Sequence, residues 1–131
     1  MNVRPAPDSP QAWLERARSD LALARAALTM SDVLLEDACF HAQQCAEKAL
    51  EALLMKRGIA FPRTHVIEML LDLLKAEGVM IPDDVDEAFV LTQYAVQTRY
   101  PGAWDPVTLK ETRSALRLAA RVLTWVKEHV S

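Results

Sequence analysis

The sequence predicts an all-α fold, an antiparallel up-and-down bundle of four long amphipathic helices plus a short extra helix. Three observations predict it. Apolar residues recur three and four apart along most of the chain, which is the period of one helix face. No stretch alternates apolar and polar as a half-buried strand does. Alanine and leucine, both good helix formers, are abundant, while aromatics make up only 6%. With 131 residues, 51% of them hydrophobic, the chain fits one domain that can bury its core without metals or disulfides.

Residues 1–8 carry two prolines and no pattern, and read as a loose arm ahead of a single domain over 9–131. The first helix begins at "SPQAWLERA", where Ser9 can cap and Pro10 suits the first turn. Trp13, Leu14, Ala17, Leu21, Ala24 and Leu28 form its apolar stripe. The second helix runs from about Val33 to Arg57, with Gly58 as its stop. Leu35, Cys39, Ala42, Ala46, Ala49, Leu50 and Leu53 share its core face, and Gln43, Gln44, Glu47 and Glu51 share the opposite one. His41 and Lys48 sit where the faces meet. Phe61 before Pro62 favours extended backbone, so "IAFPRTH" is a connection. Thr64 is placed to cap the short third helix, which carries Val66, Ile67, Leu70, Leu71 and Leu74 and ends at Gly78. Pro82 and the acids after it open a fourth helix with Val85, Ala88, Leu91 and Ala95, which must stop near Arg99 because Pro101 follows. "TLKE" offers a capping box, Thr108 with Glu111, for a last helix to Val130 whose core stripe is Ala115, Leu116, Ala119, Leu123 and Val126.

The balance of 15 basic and 18 acidic residues excludes binding of nucleic acid through bulk charge, so any such contact needs a local basic surface. Cys39 and Cys45, the two cysteines, lie six apart on one helix. They point about 120° apart with a rise of ~9 Å, so they cannot bridge each other and read as small buried thiols of a reducing compartment. No apolar run approaches the ~20 residues that span a membrane. The N-terminus has no signal-like apolar core, and we expect a cytoplasmic protein.

Few residues carry obvious chemistry. His41 and Cys45 are four apart and could touch one ion, but no third ligand is evident, so no metal and no cofactor are expected. The glycines fall in no phosphate-binding loop. Lys110, Arg113, Arg117 and Arg121 form a basic stripe within about 80° of arc, either a solvated face paired with neighbouring acids or a contact for phosphates. Leu118 and Trp125, off the core stripe, mark either a second buried surface such as a subunit contact or a wide core face. Arg99 stands among Tyr94, Gln97, Thr98 and Tyr100, where it can hold a phosphate, stack on a base, cap its own helix, or pair with an acid across the bundle.

"FHAQQCAEKALEALLMKRGIAFPRTH" followed by "TRYPG" resembles the HEPN domain family. The resemblance implies a helical bundle, usually a homodimer with a polar groove between subunits, often working beside a minimal nucleotidyltransferase in a toxin–antitoxin-type pair. Catalytic members are metal-independent RNases that use an Arg, then four to six intervening residues, then a His. Here Arg99 matches the Arg, while Asp105 stands where the His would fall and no histidine follows until His129. The resemblance therefore implies nucleotide or RNA binding, or partner binding, ahead of RNase catalysis. Arg99, Tyr100, His41, Gln44 and Lys48 are the residues expected to line the site, and His41 is the one imidazole placed to substitute for the missing His.

Overall fold

In a computed structural model of the chain, residues 8–97 and 105–130 are described. They form helices α1 (Pro10–Ala27), α2 (Leu35–Lys56), α3 (Ile67–Ala76), α4 (Asp83–Asp86), a 3₁₀ stretch (Glu87–Gln93), α5 (Tyr94–Gln97) and α6 (Leu109–Val130), with no strand among them. Ser9 caps α1 by accepting from the Ala12 amide at 3.1 Å, and Pro10 follows it. Gly58 and Gly78 close α2 and α3 at φ of 70° and 83°, a backbone that side chains with a Cβ rarely adopt. Thr108 caps the start of α6 by accepting from the Glu111 amide at 3.1 Å.

Two local expectations change. Thr64 does not cap α3; its hydroxyl accepts from the Val66 amide, and the first α3 amide, Ile67, is satisfied instead by the Thr92 hydroxyl at 3.0 Å. The single fourth helix is three pieces, α4, the 3₁₀ stretch and α5. Its apolar residues Val85, Ala88, Leu91 and Ala95 are nonetheless buried, because Val85, Ala88 and Leu91 are three apart, the spacing that a 3₁₀ stretch of three residues per turn keeps on one face. The expected end of that helix near Arg99 lies outside the described residues.

α2 is the central helix, packed on α1, α3, α5 and α6. Its alanines Ala38, Ala42, Ala46, Ala49 and Ala52 are buried and let neighbouring helices approach closely. The Cys39 thiol meets Thr112 at 3.6 Å and the Cys45 thiol meets the Ala119 carbonyl at 3.9 Å. Both numbers rise together, so α2 and α6 run in the same direction, as the second and fourth long members of an up-and-down bundle must. Leu50, Leu54, Ile67, Leu70, Leu71 and Leu74 are fully buried, and each contributes about 1.5–3 kcal/mol by leaving water. Trp125 is buried in this core beside His129, so it offers no subunit surface; Leu118 is half-buried.

Candidate functional site

α1 and α2 meet around one buried acid. Asp20 lies on the core side of α1, in line with Ala17 and Ala24, and is 6% exposed. Its Oδ1 faces His41 Nδ1 at 2.9 Å and its Oδ2 accepts from Lys48 Nζ at 2.7 Å. A buried carboxylate needs such partners, because an unpaired charge out of water is costly. His41 and Lys48, seven residues and ~10.5 Å apart along α2, are thus held by one anchor. Both stay half-buried with part of each side chain in solvent. Two of the expected site residues are therefore brought together by a third, Asp20, that the sequence reading did not select.

Gln44 goes elsewhere. Its Nε2 donates to Gln43 Oε1 at 2.6 Å, and Gln43 Nε2 donates to the His65 carbonyl at 3.1 Å. The His65 ring in turn meets Glu47 Oε1 at 2.8 Å. Gln43, Glu47 and Glu51 are buried, not the exposed face of α2, and Gln43 and Glu47 seat the "PRTH" end of the connection into α3. Burial raises the Glu47 carboxyl above its ordinary range, with the His65 hydrogen bond opposing it. For Glu51, burial, then the neighbouring Glu47 charge, pushes the carboxyl up to about 8 against the pull of Lys48.

At the end of the bundle where α2 begins, Glu36 Oε2 accepts from the Val107 amide at 3.0 Å. Tyr94 donates to Glu111 Oε2 at 2.6 Å, tying α5 to α6. Glu111 therefore serves Tyr94 while its own amide completes half of the expected capping box. Arg99 and Tyr100 lie outside the described residues, between Gln97 and Asp105, and Asp105 is exposed. His41 sits five residues past Glu36 on α2, ~7.5 Å further along the axis.

The two thiols are inert. Cys39 and Cys45 are buried and unbridged, and burial raises them to about 11 and about 12. Cys45 points to α6 and His41 to Asp20, so the two do not share an ion. Among the described residues no group of three or more His, Cys, Asp or Glu side chains could hold a metal ion, and no helix is long and apolar enough to cross a membrane. On α6 only Arg121 of the basic stripe is paired with an acid among the described residues, Asp84 at 2.6 Å, while Arg117 donates to Ser114 at 3.0 Å.

The HEPN domain family model matches residues 10–129. The chain belongs to the HEPN domain family. The crystal structure of TT1696 from Thermus thermophilus superposes with a TM-score of 0.80 at 40% identity, over 92% of this chain and 97% of that one. That of ST0689, an archaeal HEPN homologue, gives 0.77 at 31% identity, over 95% and 99%. A protein of Methanocaldococcus jannaschii named "Putative toxin MJ1304" is 30% identical over 88% of this chain and 84% of its own length. The motifs from His41 to Gly102 thus mark a HEPN domain that reaches from the start of α1 to residue 129 in the last turn of α6. Within it the matched "FHAQQ" segment has a structural duty as well as exposed polar groups. Phe40 and His41 rings meet edge-on at 5.5 Å, Ala42 and Gln43 are buried, and His41 is clamped by Asp20. The sequence did carry a signal for Asp20, a lone acid three residues after Ala17 and four before Ala24 on an otherwise apolar stripe.

Proposed function

We propose that this HEPN protein binds a nucleotide or RNA on the α1–α2 edge and at Arg99, and works as a dimer with a minimal nucleotidyltransferase in a toxin–antitoxin-type pair. The observation that carries the reading is the clamp. One buried carboxylate fixes both a lysine and an imidazole while leaving part of each in water. A bundle that needed only a buried core would gain little from an acid at that position, since apolar replacements of a buried ion pair are often neutral or stabilising. Donors held in place before a ligand arrives bind it with less loss of side-chain freedom. Likeness to a protein named as a toxin supports the context.

One observation favours a second reading, a metal-independent endoribonuclease. With Nδ1 occupied by Asp20, His41 has Nε2 left for substrate, the arrangement by which a carboxylate orients an imidazole for proton transfer. His41 would take the proton of a ribose 2′-hydroxyl and Arg99 would steady the charged phosphate. A gel with labelled single-stranded RNA in low salt and EDTA tests both. The binding reading expects intact RNA that is retained by wild type, and retained less by Arg99→Ala and by His41→Ala/Lys48→Ala. Cleavage lost in Arg99→Ala and His41→Ala replaces it with the RNase reading. RNA neither bound nor cut removes both.

A further inference from the structure

We infer that the outer face of α6 is a phosphate track, on which Lys110, Arg113 and Arg117 follow the backbone of a single RNA strand that the rest of the domain binds. The inference rests on the RNA-binding reading above and extends it to a surface of its own. In a chain with more acids than bases, α6 alone carries five Lys or Arg against two Glu. Arg121 pairs with Asp84 and Lys127 lies in the last turn, where the helix dipole favours a cation, but no structural explanation covers Lys110, Arg113 and Arg117. A solvated stripe paired with acids of a neighbouring helix needs partners, but among the described residues Lys110 and Arg113 reach no acid, and Arg117 reaches only Ser114. Helix stability asks for the opposite charge here. Lys110 is the second residue of α6, at the positive end of the helix dipole, where acids are favoured. Glu111, the next residue, faces Tyr94 and accepts from its hydroxyl, and adjacent residues on a helix do not face each other. The spacings 110–113, 113–117 and 117–121 place like charges side by side on the helix surface, where they repel. A cationic row that costs its own helix stability is explained by a ligand that neutralises it.

The surface beside the row is shaped as well as charged. A cavity of about 370 Å³ between the 3₁₀ stretch and α6 has Lys110 on its wall. A second, of about 420 Å³, has Arg117 and Arg121. They share Ser114 and Leu118, so they form one groove along α6, with Leu118 and Val90 as an apolar floor for ribose or base. Three acids also line these walls: Asp84, which pairs with Arg121, Glu111, which accepts from the Tyr94 hydroxyl, and Glu87; Arg113 lies outside both cavities, on the exposed face beside them.

The test is fluorescence anisotropy of a labelled short single-stranded RNA, titrated between about 50 and 200 mM salt, with wild type, Lys110→Ala/Arg113→Ala/Arg117→Ala and His41→Ala/Lys48→Ala. Each phosphate contact to a single strand contributes about 0.7 to the slope of log affinity against log salt. The triple variant should therefore lose about 2 from that slope, so that wild type loses about 20-fold more affinity across the range than the variant does. All three side chains are on the exposed or outer side of α6, and a circular dichroism melt confirms folding. An unchanged slope in the triple variant, while wild type binds and the His41/Lys48 variant does not, overturns the track and leaves the α1–α2 reading in place. No binding by wild type at low salt overturns both. Competition by polyglutamate as strong as by RNA overturns it in favour of an acidic protein partner.

Discussion

Glu51→Gln should stabilise this protein at high pH and leave it almost unchanged at low pH. Glu51 is 5% exposed, and burial together with Glu47 moves its carboxyl from 4.5 to about 8. The folded protein therefore holds a proton on Glu51 that the unfolded chain has already released above pH 4.5. The unfolded state binds fewer protons over that interval, so stability falls as pH rises from about 4.5 to about 8 and is then level. At about 1.4 kcal/mol per pH unit the full interval sets an upper limit of about 5 kcal/mol. Relaxation around the buried charge and the high effective dielectric of real protein interiors bring the expected figure to about 2 kcal/mol. Glutamine has the same shape and no charge at any of these pH values. For a domain of this size 1 kcal/mol is worth roughly 3–5 °C, so the variant should melt roughly 6–10 °C above wild type at about pH 9 and within about 2 °C of it at about pH 5. Melting curves by circular dichroism at both pH values check this. An equal gain at both, or no gain at the higher pH, refutes the buried, protonated carboxyl.

Asp20→Asn should lower stability by about 1–3 kcal/mol in urea titrations at about pH 7, less than a fully buried pair would lose because His41 and Lys48 can turn to water; an unchanged midpoint shows that the clamp adds nothing to the fold. Neither Cys39 nor Cys45 should react with a thiol reagent in the native state, since burial holds both thiols protonated at about 11 and about 12, and both should react after denaturation. One rapidly labelled equivalent in native buffer contradicts that burial.

Most of the fold was legible because its signals are local. Ser9 before Pro10, Gly58, Gly78 and Thr108 mark helix ends by backbone chemistry that needs no neighbours, and all four act there. The core stripes of α1, α3 and α6 were legible for the same reason, since apolar residues at helical spacing fall on one face whatever covers it; Val66, counted with the α3 stripe, is exposed at its cap position instead. The reading failed where tertiary contacts decide. Gln43, Glu47 and Glu51 look like a wet face at helical spacing, yet they are buried because α2 is covered on that side too, by the connection that ends in His65 and by α3. Thr64 has the chemistry of a cap, but Thr92, far away in sequence, reaches the α3 amide first. Of the candidate site, His41 and Lys48 are brought together, Gln44 turns to Gln43, and Asp20 was passed over as one acid in an apolar stripe.

The clamp follows from one property of α2. Its buried alanines bring α1, α6 and the connection into α3 close on several sides, which leaves only a narrow arc in solvent. Along that arc lie Phe40, His41, Gln44 and Lys48, all half-buried. An exposed lysine or histidine on an ordinary bundle surface swings freely and contributes little to recognition. Here the crowding puts Asp20 within reach of both His41 and Lys48, so the arc has fixed geometry without any ligand. On α6 the reverse holds. Its outer face is exposed, its charges repel, and Lys110 and Arg113 pair with no acid among the described residues. A strand of RNA needs both kinds of surface: rigid donors where a particular phosphate or base is to be held, and a loose cationic row where only the backbone passes.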